Sequence, residues 1–392
     1  MRPFHPALSA LVVAATFGVL VVPLDVAAIP AFARKYRVSC TTCHAPFPRL
    51  KPYGEEFAGR GFAMEPGQEP ARAVLDVGDD QLQLPRDFPL AVRFDGFVDW
   101  APQRDPQVDF QTPFVFKALL GGQIAERVSY YTYFIIENGG EAMGIEDAWG
   151  QFSTLFGLPL DLVVGQFQIC DPIVKRELRL TREDYEILRV TPGLSTTNLT
   201  YDRGLILAWH APAELDVQAM VTNGNGIGPA TSTFDDDRYK TVSLRAAIPV
   251  GPVRIGLFGS MGKALGGTAG EVNTTVYWGP DLSVVIGEDL TVSGQWLSRH
   301  DSNATFDPAS TGEIQTRGGW LEAVWLPGGP NGATSVALLG NKVVSDDPSA
   351  RRESAGLNGG YLYRRNVRLV AEARYDWETD EARFSVGTVV AF

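Results

Sequence analysis

The chain has 392 residues, of which 45% are hydrophobic and 20% charged, with a formal net charge of -12. That apolar content excludes a disordered chain, the acidic balance excludes a nucleic-acid binder, and three Cys are too few to frame a disulfide-stapled scaffold. The length alone suggests two or three soluble domains, and beyond the N-terminus no stretch approaches the ~18 apolar residues of a membrane-spanning helix.

The first element is an export signal. Arg2 gives a weakly basic start, an apolar run extends from Leu11 to Leu24, and Val26-Ala27-Ala28 offers small residues for cleavage. Residues 1–28 are therefore expected to be removed after Ala28 or close to it. A signal anchor is the competing reading, but the run is short and no cationic stop-transfer segment follows.

Next comes Cys40-Thr41-Thr42-Cys43-His44, the C-x-x-C-H pattern of c-type haem attachment. Two thiols one helical turn apart can add to the two vinyl groups of a haem. The His that follows can then coordinate the iron through an imidazole nitrogen. A redox disulfide would belong to a βαβ domain, and none is visible. A zinc site would need further Cys or His ligands nearby, and the remaining Cys170 is far along the chain, where it reads as a lone thiol. Met64 is the candidate distal iron ligand, since a thioether about twenty residues on could fold over the other haem face and raise the potential. It reads equally well as a gap-filling core residue. His210 and His300 are further candidates, but both lie in the strand-rich region. Residues 29–70 are thus expected to form a small monohaem segment, and the polar, Pro-flanked residues 71–87 a linker.

From residue 88 to residue 392 the pattern has period two. Val367, Leu369, Ala371, Ala373, Tyr375 and Trp377 share one face, while Arg368, Glu372, Arg374 and Asp376 share the other. Val92, Phe94, Val98 and Trp100 oppose Arg93, Asp95 and Asp99. Leu290, Val292 and Trp296 oppose Thr291, Ser293, Gln295 and Arg299. Val242, Leu244, Ala246 and Ile248 oppose Thr241, Ser243 and Arg245. A soluble sandwich alternates in the same way. A membrane barrel fits better, for three reasons. About sixteen segments of roughly ten residues are present, the span of a tilted transmembrane strand. Short turns at residues 211–213, 249–251, 287–288 and 365–366 alternate with longer loops, expected on the outer side: 170–202, 223–238, 262–271, 299–314 and 345–355. The chain ends in an amphipathic strand from Phe384 to Phe392, and Trp100, Trp209, Trp278 and Trp377 lie where interfacial girdles sit. The expected fold is all-β: an antiparallel transmembrane β-barrel of about 16 strands preceded by a small N-terminal c-type haem segment, embedded in outer-membrane lipid.

Two charged features have competing readings. Asp235-Asp236-Asp237 could dock a hard cation such as iron, but reads better as a solvated acidic loop. Arg93, Arg245, Arg368 and Arg374 could meet haem propionates, or pair with Asp95, Asp376 and Glu372 as mixed-charge lining.

The segment from Pro30 to Phe57, with Gly61-Phe62 after it, resembles the haem segment of the fused outer-membrane cytochrome–porins. The matching string is Cys40 to His44, then Phe47-Pro48-Arg49-Leu50, Tyr53-Gly54 and Gly61-Phe62. More locally, Asp147 to Phe152, Val164 to Pro172 and Glu177 to Arg182 resemble phosphate-selective-type porin barrels. The resemblance implies one covalent haem c held by Cys40, Cys43 and His44 in a plug at or inside a barrel. It also implies electron passage between an extracellular donor, ferrous iron in the best-known members, and a periplasmic c-type cytochrome or other carrier. Activity would then be of the Fe(II):cytochrome c oxidoreductase type. Two alternatives stand beside it: a solute porin with a haem-containing plug, and a conduit delivering electrons to outside acceptors.

Overall fold

The computed structural model describes residues 31–64, 74–75, 78, 84–86 and 88–392, apart from 142–143, 229–232, 236, 268–269 and 309–311. The expected signal peptide, most of the linker and Asp236 lie outside the described residues.

Sixteen antiparallel strands close into one barrel. In chain order they are β1 (Leu90–Trp100), β2 (Val108–Ala125), β3 (Val128–Asn138), β4 (Gly144–Phe152), β5 (Leu160–Gln168), β6 (Tyr201–Ala211), β7 (Leu215–Thr222) and β8 (Thr241–Val250). They continue as β9 (Val253–Gly266), β10 (Glu271–Ile286), β11 (Leu290–Asp301), β12 (Ile314–Trp325), β13 (Thr334–Ser345), β14 (Arg352–Arg364), β15 (Val367–Asp376) and β16 (Glu381–Ala391). Each strand pairs with its sequence neighbour, and β16 closes on β1 from Phe384↔Trp100 to Ala391↔Arg93. The terminal Phe392 extends this seam, exchanging backbone hydrogen bonds of 2.6 and 2.8 Å with Val92. Closure leaves no unpaired strand edge, the condition for a sheet to stand in lipid. No helix among the described residues is long and apolar enough to cross a membrane.

The period-two pattern maps onto the two faces as expected. Leu244, Leu257, Leu321, Leu338 and Val386 are exposed on the outside of the wall, while Arg245, Glu322, Arg368 and Ser385 are buried inside it. This inverts a soluble protein, and an apolar belt of that extent calls for lipid around it. Trp100 stacks on Phe384 across the seam at one end of the barrel, and exposed Trp209 and Trp325 mark the other. Turns 126–127, 212–214, 251–252, 287–289 and 365–366 share the end that carries Leu90 and Phe392. Strands β3, β7 and β11 end at the other.

Two expectations about the loops need correction. The expected loop 262–271 is mostly ladder: β9 pairs with β10 all the way to Gly266↔Glu271, because the alternation continues there. The long segment 169–200 is no outer loop in its packing. It folds into the barrel. Its Ile169, Tyr185, Ile187, Leu188, Val190 and Leu199 form one apolar cluster with inward Phe258, Leu297, Trp320, Leu339 and Val343. Burial of such side chains contributes roughly 1.5–3 kcal/mol each. The hydrophobic content is thus both a lipid-facing belt and a core inside the barrel.

Polar contacts strap this inner loop across the lumen. Arg182 sits between the rings of Phe97 and Phe114, forms an ion pair with Asp99 and donates to Ser385 Oγ at 2.7 Å. Asn341 of β13 accepts from Glu186 N (3.1 Å) and donates to Asp184 O (2.9 Å). Arg299 of β11 donates to the carbonyls of Val190 (2.8 Å) and Thr197 (2.9 Å). Around the wall, inward Asn273 and Thr316 are 0% exposed, Arg299 and Asn358 1%, and Arg368 2%. A water-filled channel would wet such groups, so the lumen at this level is packed.

Candidate functional site: a cavity beneath the inner loop

The N-terminal segment forms α1 (Ala31–Tyr36), α2 (Cys40–Cys43) and α3 (Pro52–Gly59) and sits inside the turn end of the barrel. Ser39 caps α2, its hydroxyl accepting from Thr41 N at 3.3 Å. Pro52 opens α3, where its missing N–H costs nothing. Between them the chain turns back: His44 N donates to Cys40 O, Ala45 N to Arg49 O and Lys51 N to Cys43 O, at 2.9–3.0 Å.

Two glycines fix this arrangement. A Cβ on Gly54 would stand 2.3 Å from the backbone oxygen of Cys43, so α3 can press on the Cys pair only without a side chain there. Gly61 has φ +66°, and a Cβ would fall 1.8 Å from Ser129 Oγ of the barrel wall. That approach lets Phe62 stack on Phe32 (4.9 Å) and meet Tyr131 (5.1 Å) and Trp149 (6.2 Å). Gln151 donates to Gly59 O at 2.8 Å, and Arg49 pairs with Glu322 at 3.3 Å. Glu322 also accepts from Tyr185 OH at 3.2 Å, so one carboxylate holds both plug and inner loop. Gly54→Ala is expected to loosen the plug by about 1–3 kcal/mol through overpacking. Protease resistance of residues 31–64 in the intact protein measures this, and resistance equal to the parent's would remove the contact as the reason for glycine.

Plug, inner loop and wall line a cavity of about 250 Å³, near the lower end of the ~300–1,000 Å³ of a typical small-molecule site. Cys40, Cys43 and His44 line it together. Its walls are largely apolar: Phe32, Leu50, Phe57, Phe62, Leu119 and Leu120. His44 Nδ1 lies 2.9 Å from Pro48 O. A carbonyl can only accept, so the proton is on Nδ1 and Nε2 keeps its lone pair. Burial lowers the His44 pKa, partly offset by the Pro48 and Arg49 carbonyls, which favours the neutral, ligating form. Burial pushes both Cys thiols up. Lys117 and Lys175 bring ammonium groups to the cavity, paired with Glu177 (3.1 Å) and Asp171 (3.1 Å) of the inner loop. These residues fit a haem: two thiols, an imidazole with a free lone pair, apolar walls for the macrocycle and cations within reach of its carboxylates.

The other predicted residues fall elsewhere. Met64, two residues beyond Phe62, is half-buried and does not line the cavity. His210 joins Asp161 (3.3 Å) and Asp216 (3.1 Å) at the turn end, and His300 faces Glu313 at 3.5 Å toward the loop end. Cys170 is fully buried at the root of the inner loop, where desolvation drives its thiol far up. Asp235 binds Lys240 and accepts from Asp237 N, and Asp237 accepts from Tyr239 N and Leu265 N, so both carboxylates serve the loop itself. Arg93 pairs with Asp95 and Arg374 with Asp376, each at 2.6 Å. Arg245 pairs instead with Asp281 at 2.6 Å, and Arg368 donates to Leu180 O at 3.2 Å. Lys117, Lys175, Asp147 and Tyr131 escaped the sequence reading as site residues. No local spacing ties them to the Cys pair.

No protein-family model matches the chain, and no curated protein matches it. Solved structures do. The chain is similar to OmpT, an outer-membrane protein of Vibrio cholerae (11% identity, TM-score 0.54, covering 77% of this chain and 98% of that one). It is similar to an anion-selective porin from Comamonas acidovorans (12%, TM-score 0.55, 77% and 98%) and to Salmonella typhi OmpF in complex with daunomycin (10%, TM-score 0.53, 78% and 98%). The fold is that of the porin-like outer-membrane β-barrels.

Proposed function

We propose that the protein is an outer-membrane electron conduit in which one c-type haem, attached to Cys40 and Cys43 and ligated by His44, passes electrons between an extracellular donor and a periplasmic carrier. Ferrous iron is the donor to test first. The observation that carries this reading is the convergence of those three side chains on one mostly apolar cavity. When bound, the haem supplies a one-electron Fe(III)/Fe(II) couple. The chain's own part is positional. The Pro48 carbonyl orients His44, Gly54 lets α3 support the Cys pair, and Phe32, Phe57 and Phe62 exclude water. The cavity lies near the turn end, the periplasmic side of such barrels, where a carrier can approach.

A solute porin with a haem plug is the second reading, and the likeness to porins favours it. The packed lumen opposes it. Both are tested with the purified protein in liposomes that enclose an electron acceptor and a small dye. External Fe(II) is expected to reduce the haem and then the acceptor while the dye stays inside. A haem that stays oxidised while dye leaks freely rejects the conduit. A low midpoint potential with outward flow would instead favour delivery to extracellular acceptors.

A further inference from the structure

Among the carboxylates of this cavity, Asp147 differs from the rest. It stands on the inward face of β4, is 5% exposed and lines the cavity together with Cys43 and His44. Strand register sets it opposite Tyr133, with Trp149 opposite Tyr131. Glu177 has Lys117 at 3.1 Å and Tyr133 OH at 3.3 Å, Asp171 has Lys175 at 3.1 Å, and Glu146 accepts from Tyr201 OH at 2.6 Å. Among the described residues, no hydrogen bond or ion pair reaches the oxygens of Asp147. A carboxylate this buried and unpartnered inside a wall is costly unless it has a task.

The groups that face it come from every side. Glu146 lies on its own strand, Asp171, Glu177 and Lys175 come from the inner loop, and Tyr131, Tyr133 and Lys117 from β3 and β2. From the plug, Glu55 faces the same Lys175–Asp171 pair. Three carboxylates and one ammonium group thus act on Asp147 directly, and an arriving electron adds a further negative charge at low dielectric.

We propose that Asp147 is the proton acceptor coupled to electron entry at this cavity, an inference that rests on the haem reading given above. As one electron arrives from a one-electron donor, which is thereby oxidised, Asp147 takes up one proton from water and becomes a neutral carboxyl. When the electron leaves to a one-electron acceptor, the proton returns to water. Charge in the cavity is then the same before and after each transfer. By linkage, whatever makes the electron favour the proton makes the proton favour the electron.

The test is a spectroscopic redox titration of the haem-loaded protein from about pH 4 to about pH 8, a span that brackets ordinary and shifted carboxyls. The parent's midpoint potential is expected to fall with pH at a slope approaching ~59 mV per unit, the tenfold change per unit of a one-electron couple. Asp147→Asn should flatten the slope and Asp147→Glu should keep it. Reduced-minus-oxidised infrared spectra of the parent should also gain a protonated-carboxyl band that moves in heavy water, a readout needing no variant. A pH-independent parent potential, a slope that persists in Asp147→Asn, or a parent spectrum lacking the band overturns the proposal. A protein that carries no haem at all fails at the earlier reading instead.

Discussion

Replacing Cys40 and Cys43 together by alanine is expected to remove all covalently held haem while leaving the barrel assembled. In the proposed conduit the two thiols are the attachment points, and the remaining Cys170 is fully buried outside the cavity and cannot substitute. The barrel closes through sixteen strands whose pairings involve neither Cys, so heat-modifiable mobility on gels should match the parent. Haem staining after denaturation should fall from one haem per chain to none. His44→Ala should separate attachment from ligation: the stain stays, because both thioethers can form, while the visible spectrum changes through loss of the imidazole. A parent protein that carries no stain after export through a haem-attaching host would sink the conduit reading. A stain that survives the double change would place the attachment elsewhere.

The barrel was legible in the sequence because its signal is repeated in every strand. Arg368, Glu372 and Asp376 against Val367, Leu369 and Ala371 show the two faces directly, and the burial of these residues follows the alternation. The closing strand was legible for the same reason. What the alternation cannot tell is what fills the inside. Leu297, Phe258 and Leu339 point inward, yet in sequence they are simply apolar residues in a strand. Whether the segment between β5 and β6 lies outside or folds in depends on contacts with residues over a hundred positions away, such as Arg299 with Val190 and Thr197. The site divides along the same line. Cys40, Cys43 and His44 stand out in the sequence because the proposed attachment chemistry needs them within five consecutive positions. Gly54 and Gly61 are visible in sequence only as part of a resemblance, and their reason, close approach to Cys43 O and Ser129 Oγ, is tertiary. Asp147 carries no local signal, since an inward carboxylate on a barrel strand is ordinary until its lack of a partner is seen.

The packed lumen depends most on one residue, and Arg299→Ala is the change expected to disturb it furthest. Its guanidinium is 1% exposed and pairs with Asp301, itself 0% exposed, at 2.6 Å. The same group donates to Val190 O, Thr197 O and Ser195 Oγ (2.9 Å) of the inner loop. Among the described residues, removing it leaves the buried Asp301 carboxylate with Asn273 (2.8 Å) and Thr275 (2.9 Å) as side-chain partners, and breaking a buried pair from one side costs about 3–5 kcal/mol. Two inner-loop carbonyls and the Ser195 hydroxyl lose the Arg299 donor in the same step. The direction for the fold is a lower unfolding midpoint in denaturant, read by tryptophan fluorescence. The direction for the lumen is opening: the C-terminal part of the inner loop loses its anchor to β11, and a pathway that is sealed in the parent should conduct ions in planar bilayers. Arg299→Lys separates the two effects, since it keeps a charge beside Asp301 but cannot reproduce the fork that reaches the pair and the loop at once. It should recover much of the stability and little of the seal. Equal conductance in parent and Arg299→Ala, both high, would show that the lumen is open regardless of the loop, and would return the protein to the solute-porin reading.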